Sequence, residues 1–189
     1  TDEEILARSL GITFERDNQE QVSHPERLYR AYRLPGENGD LAAIFRDRRL
    51  SDNIGFVYMH YPPHQAAEDL VVRLRNIRHR LEDQSGPFLV SVILDGENCW
   101  EYYEQNGDPS LHDLYRILSQ TTELQTVTIS EYLDLHGTQS ELSHLDSGSW
   151  IMGDFTTWIG DPEHNAAWGL LRQTREELVE VLRSDNTLS

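Results

Sequence analysis

One run of residues most limits what this chain can fold into. After the breaker Gly86-Pro87 come Phe88-Leu89-Val90-Ser91-Val92-Ile93-Leu94, nearly continuous in apolar character and of strand length. Alternation would mark a strand with one wet face. Continuity predicts a strand covered on both faces, as in the parallel sheets of α/β proteins. Helical patterns flank it, as such a sheet requires. From His64 to Asp83 the apolar positions Ala66, Ala67, Leu70, Val71, Leu74, Ile77 and Leu81 fall at steps of three and four, one face of a helix. Pro109 opens another helix through Ser119, with Leu111, Leu114, Tyr115 and Leu118 expected to face inward.

The remaining elements follow from caps and periodicity. Thr1-Asp2-Glu3-Glu4 has capping-box spacing, so a short helix is expected to start at Thr1, run to Leu10 and stop at Gly11. Residues 28–34 alternate well enough for a strand. Leu41-Ala42-Ala43-Ile44-Phe45 reads as a buried strand entering the charged turn Arg46-Asp47-Arg48-Arg49. A short strand is expected over 126–129 with a helical turn from Ser130, then a polar loop over 137–148 and a Trp-rich stretch. Asp161-Pro162 caps a last helix that should bury Ala166, Ala167, Leu170, Leu171, Leu178 and Val181. Strands alternating with helices predict an α/β protein with a mostly parallel sheet, with too few strands for a closed barrel. At 189 residues the chain fits a single domain, 1–189.

Charge narrows the partners. A formal net charge of −17 opposes binding to nucleic acid or to an anionic membrane, because phosphates would be repelled. It does not oppose a neutral sugar polymer. No apolar run nears the roughly 18 residues of a spanning helix. All sixteen basic residues are Arg. Arg73, Arg75, Arg78 and Arg80 read as the solvated face of their helix rather than as a binding patch. The lone Cys99 forms no internal disulfide and points to a reducing cytoplasm. A chain that opens on Thr1 without an apolar leader reads as a piece of a longer protein.

Active-site groups of parallel α/β folds gather at the C-terminal ends of strands. Asp95 is the first polar residue after the apolar run, followed by Gly96 and Glu97. It could cap the following turn, but Asn98, Trp100, Tyr102 and Tyr103 come next. Rings stack on the apolar faces of pyranoses while carboxylates and amides bond the hydroxyls. Asp47 and Asp52 could line the same cleft, with Arg46 holding one of them, or could bridge locally. Trp150 and Trp158 lie in a Gly-rich region and read as sugar platforms, whereas Trp168 fits the apolar face of the last helix and reads as core. His60 and His64 are separated by Pro62-Pro63, which forbids the helical face a metal pair would need. No metal or other cofactor is expected.

The run Val92-Ile93-Leu94-Asp95-Gly96-Glu97-Asn98-Cys99-Trp100-Glu101 resembles the segment of glycoside hydrolase family 57 that carries the general acid/base aspartate, closest to the amylopullulanase-like branch. Three further blocks are similar in the same order. They are Thr1-Asp2-Glu3 with Leu6-Ala7-Arg8-Ser9-Leu10-Gly11, then Ile44-Phe45-Arg46-Asp47 with Leu50-Ser51-Asp52-Asn53-Ile54-Gly55-Phe56. The last is Gly148-Ser149-Trp150-Ile151 with Gly153-Asp154-Phe155, Trp158-Ile159-Gly160 and Asn165-Ala166-Ala167-Trp168. The family's His-Gln-Pro motif and its nucleophilic glutamate segment do not occur in this chain. Cys99 and His60 depart from its pattern. The resemblance implies the later strands of an incomplete seven-stranded (β/α) barrel, with residues 161–189 starting a following helical region. It implies a retaining hydrolase or transglycosidase on α-glucans, with Asp95 as general acid/base and the nucleophile on a missing N-terminal part of the same domain. Glu97, Trp100, Tyr102, Asp47, Asp52, Trp150 and Trp158 are then the candidate substrate contacts.

Two other readings remain open. A non-catalytic glycan-binding relative would keep these residues without the partner carboxylate. A magnesium-dependent phosphoryl-transfer enzyme could use Asp95 and Glu97, but it would want a Gly-rich phosphate cradle and a lysine, and the chain has neither.

Overall fold

The computed structural model describes residues 2–96 and 100–184, which gather into two compact units, Thr1–Ser147 and Gly148–Ser189. In the first unit helix α1 (Glu3–Leu10) starts at Asp2, whose Oδ1 accepts the Glu4 N–H at 3.0 Å. The cap therefore sits one residue later than the capping-box spacing predicts; Thr1 lies outside the described residues. Gly11 ends the helix at φ 65°, a left-handed conformation that glycine adopts without steric cost.

Helix α2 (Pro25–Leu28) takes the start of the segment expected as a strand, and only β1 (Tyr32–Leu34) of it is extended. Strand β2 (Leu41–Ala43) pairs antiparallel with β1, Tyr32 opposite Ala43. The polar loop contributes β3 (Ser140–Glu141), parallel to β1. The fold is mixed α/β, but its sheet is small and mixed, in the order β2-β1-β3, rather than mostly parallel. The charged turn proves to be the entry of helix α3 (Arg48–Asp52), because Asp47 caps it by accepting the Leu50 N–H at 2.9 Å. A π-helical turn (Asn53–Val57) and a 3₁₀ turn (Tyr58–His60) lead to α4 (Pro63–Arg80).

The stripe predicted for α4 is the one it buries: Ala66, Ala67, Leu70, Val71 and Ile77. Each large side chain so buried contributes about 1.5–3 kcal/mol. Its arginines all meet acids, Arg73 with Asp69, Arg75 with Glu123, Arg78 with Glu82 and Arg80 with Asp17. The core gathers Ala66, Leu70 and Ile77 of this stripe with Ile5, Leu6, Val22, Leu28, Tyr29, Tyr32 and Phe45. Tyr32 and Phe45 meet edge to face at 5.7 Å.

Residues 88–94 depart most from expectation. They form no strand pairing and are only half-buried, apart from the buried Ser91 and the exposed Ile93. Their bonds are single and go to different partners. The Leu89 N–H donates to the Tyr29 carbonyl at 2.9 Å, and the Ser91 carbonyl accepts from the Asp47 N–H at 3.0 Å. An apolar run reports what should be covered, not what covers it, and no described strand lies in register on either side. Residues 126–129 form no strand either; Ile129 opens α6 (Ile129–His136), whose N-cap Thr128 and Glu131 make a reciprocal capping box. Helix α5 (Asp108–Gln120) turns Leu111, Leu114 and Leu118 to half-buried positions but leaves Tyr115 exposed.

In the second unit a loop folds on Ser149, whose hydroxyl bonds the Ile151 and Asp154 carbonyls, and on Asp154, which accepts from Thr156. Asp161 accepts the Glu163 N–H and starts α7 (Pro162–Ser184). No described residue of α7 is buried, so the expected burial of Ala166, Ala167, Leu170, Leu171, Leu178 and Val181 is not met. Trp168, expected in the core, is 50% exposed. Periodicity marked the apolar face of this helix without supplying anything to lie against it. Among the described residues, no helix is long and apolar enough to cross a membrane.

Candidate active site around Asp95

The segment entering Asp95 is held from α3 and the residues before it. Ser51, fully buried, donates its hydroxyl to the Asp47 carbonyl at 2.8 Å and accepts the Ile93 N–H at 3.2 Å. Arg46 reaches the Ile93 carbonyl at 3.4 Å through Nη1. Its Nε pairs with Asp2 at 2.8 Å, and Asp2 is itself wholly buried. Its Nη2 lies 3.6 Å from Asp52. Arg46 thus joins the start of α1, the end of α3 and the chain two residues before Asp95. The expectation that Arg46 holds one of the two aspartates is met at Asp52. Ser51 and Asp2 were not foreseen as parts of this clamp; the available signal was a hydroxyl four residues after a capping Asp, placed to bond back to its carbonyl.

Asp95 is exposed, which differs from the buried strand end that the sequence implied. Asp52 is half-buried, and desolvation raises its carboxyl above the usual range against the pull of Arg46. Glu97, with Asn98 and Cys99, lies outside the described residues. Tyr102 stands 76% exposed. Trp100 turns inward instead, its ring 5.2 Å from that of Tyr103, whose hydroxyl donates to the Ile54 carbonyl at 2.5 Å. A Cβ added at Gly107 would come within 2.8 Å of the Trp100 ring, so that indole is wedged against backbone rather than held out as a platform.

Asp47 is not placed to meet a ligand within this unit. It is 1% exposed, and its carboxylate accepts from Tyr29 Oη at 2.6 Å, Arg16 Nη2 at 3.1 Å and the Leu50 N–H. Its neighbour in this network, Glu3, bonds Arg16 and the Arg48 N–H, and burial raises its carboxyl. These are structural duties. In the second unit Trp150 and Trp158 are 42% and 38% exposed, and the Trp158 carbonyl accepts the Trp168 indole N–H at 2.7 Å. Among the described residues, no three His, Cys, Asp or Glu side chains gather where they could hold a metal ion.

What the first unit offers chemically is an exposed carboxylate on a clamped segment, a second carboxylate on the same guanidinium that clamps that segment at Ile93, and an exposed tyrosine ring nearby in sequence. That combination suits proton transfer to and from a hydroxylated substrate better than it suits phosphate binding. No match emerges among curated proteins. The model of glycosyl hydrolase family 57 matches residues 4–144, about three quarters of the 189 in the chain, which include Arg46, Asp52, Asp95 and Tyr102 but not the tryptophans of the second unit. Membership of that family implies glycoside hydrolase or transglycosidase activity on a carbohydrate substrate. This chain belongs to glycosyl hydrolase family 57.

Proposed function

We propose that the chain is part of a retaining hydrolase or transglycosidase of α-glucans, of the amylopullulanase-like branch, and that Asp95 is its general acid/base. The observation that carries this is the run Leu94-Asp95-Gly96-Glu97-Asn98 inside the family-matched span, on a segment pinned by Ser51 and Arg46 just before Asp95. In the first step a nucleophilic glutamate, on a part of the protein preceding Thr1, attacks the anomeric carbon. The glycosidic oxygen leaves with the proton of Asp95. In the second step Asp95 takes a proton from water, or from an acceptor hydroxyl, as that oxygen displaces the glutamate. Glu97, Tyr102 and Asp52 are the proposed sugar contacts of the first unit, and Trp150 and Trp158 those of the second.

Within this reading the chain supplies the later part of an incomplete seven-stranded (β/α) barrel, although residues 88–94 form no paired strand among the described residues. The cytoplasm is the proposed compartment, because the chain's one cysteine, Cys99, can form no disulfide within it.

The test is Asp95→Asn in the full-length protein. Turnover of maltooligosaccharides should fall by about 10²–10⁴-fold, the usual share of a positioned proton donor. The fold, read by circular dichroism and melting temperature, should not change. Undiminished turnover in Asp95→Asn would overturn the assignment, and so would glucan cleavage by residues 1–189 purified alone.

A further inference from the structure

The chain on either side of Asp95 is tied to one stretch of helix. On the incoming side both backbone groups of Ile93 go to side chains. Its N–H donates to the Ser51 hydroxyl at 3.2 Å, and its carbonyl accepts from Arg46 Nη1 at 3.4 Å. On the outgoing side the Tyr103 hydroxyl donates to the Ile54 carbonyl at 2.5 Å. Ser51 lies in α3 and Ile54 in the π-helical turn that continues it, so the two anchor points stand about one turn apart on the same helical stretch.

The outgoing anchor is stiff. Tyr103 is buried, and its N–H donates to the Trp100 carbonyl at 3.1 Å, closing a turn whose two rings already meet. Both rings face a small apolar cavity, shared with Ala67 and Leu70 of α4 and with Leu111 and Leu114 of α5. Six residues of sequence, 94–99, separate Ile93 from Trp100, and the first of them, Leu94, packs against the core. Asp95 follows at once and is exposed. A proton donor must stand within hydrogen-bond reach of the leaving oxygen, and a misplacement of about 1 Å can cost about 10²-fold in rate. An exposed carboxylate meets that demand only if its backbone is held. Two ties to one helical stretch, one before it and one after it, do so.

We propose that Ser51 and Tyr103 are positioning residues of Asp95, acting together from opposite ends of its segment. The inference rests on the general acid/base role proposed above for Asp95. Both side chains are buried and their hydroxyls are bound to protein partners, so neither is offered to a sugar. Each acts on the reaction through the place of one carboxylate.

The experiment compares Ser51→Ala and Tyr103→Phe in the full-length protein, each alone and combined with Asp95→Asn. With Asp95 intact, kcat on a maltooligosaccharide should fall by about tenfold or more in each variant, with a much smaller change in KM. The first step on an activated aryl maltoside, read as the burst of released phenol, should lose far less, because that leaving group needs no proton. Added to Asp95→Asn, neither change should lower maltooligosaccharide turnover further, since no proton donor is left to place. Tyr103→Phe keeps the ring and its packing, so a loss of fold in Ser51→Ala would leave the comparison intact. Equal losses on the two substrates would make the hydroxyls general supports of the fold and overturn the proposal. A further loss on Asp95→Asn as large as the loss on the parent would do the same, and so would parental turnover in either variant. Undiminished turnover in Asp95→Asn alone is a separate result, which strikes the role of Asp95 itself and the positioning role with it.

Discussion

Tyr29 Oη donates to Asp47 Oδ2 at 2.6 Å, and both side chains are almost wholly buried. The same carboxylate caps α3 and accepts from Arg16, which also pairs with Glu3 at the start of α1. One aspartate thus ties three parts of the fold, and the segment that ends in Asp95 hangs from the same turn through the Asp47 N–H and Ser51.

Asp47→Ala should therefore act on stability before it acts on any substrate. It leaves a tyrosine hydroxyl, a helix N–H and part of a buried guanidinium without their acceptor. Breaking a buried pair from one side costs about 3–5 kcal/mol. Asp47→Asn keeps the shape and a capping oxygen, and should lose less. Urea unfolding of the full-length variants reads the difference. An Asp47→Ala protein as stable as its parent, with weaker glucan binding, would return Asp47 to the list of substrate contacts.

Glu3 gives this network a definite pH dependence. Desolvation raises its folded-state carboxyl above the ordinary value of 4.5, so the folded chain holds this proton more tightly than the unfolded chain does. Its contribution is fully present below 4.5 and is lost as pH rises through the raised folded value. Glu3→Gln does not titrate. The stability gap between the two proteins should therefore move in favour of Glu3→Gln as pH rises from 4 toward 7, judged about one unit on either side of the ordinary glutamate range. A gap moving the other way would mean that Arg16, rather than burial, governs Glu3.

How much of this was legible follows from what each signal reports. The stripe of α4 and the stop at Gly11 were plain, because periodicity and backbone sterics act within one element. The stripe of α7 was equally plain and misleading, since Leu170 and Leu178 remain exposed. Residues 88–94 failed for the same reason: apolar continuity says nothing of whether two strands stand ready to pair. At the site, Asp95 and Tyr102 were readable as a carboxylate and an aromatic ring after an apolar run, but the exposure of Asp95 was not, because it depends on whether that run is covered. The inward turn of Trp100 was not, because it depends on the space left by Gly107 and on Tyr103. Asp47 carried both of its possible readings in the sequence, and only its three donors, contributed from residues 16, 29 and 50, decide between them.

Trp158 and Trp168 of the second unit should now separate differently than core and platform. Trp168 is half-exposed and its indole N–H holds the Trp158 carbonyl. Trp168→Phe, which keeps a ring and loses that donor, should cost only about 0.5–1.5 kcal/mol. Trp158→Ala is expected to weaken maltooligosaccharide binding with little change in melting temperature. Calorimetric melting and binding of both variants check this, and a larger thermal loss in Trp158→Ala would make it a structural residue.

The role of Asp95 can be tested by the configuration of a product as well as by a rate. In Asp95→Asn an activated glycoside whose leaving group needs no proton should still load the nucleophilic glutamate. The glycosyl-enzyme then stalls, because water has lost the base that deprotonates it. Azide is already an anion and needs no base, so it should restore turnover and appear in the product as a glycosyl azide. Two displacements at one carbon, first by glutamate and then by azide, return the starting anomer, so an α-glucoside should yield the α-azide. Were Asp95 the nucleophile, azide would displace the leaving group once and give the β-azide instead. The proton coupling at the anomeric carbon distinguishes the two by nuclear magnetic resonance. An α-azide places the proton chemistry on Asp95, a β-azide exchanges the roles of the two carboxylates, and unimpaired turnover without azide removes Asp95 from the reaction.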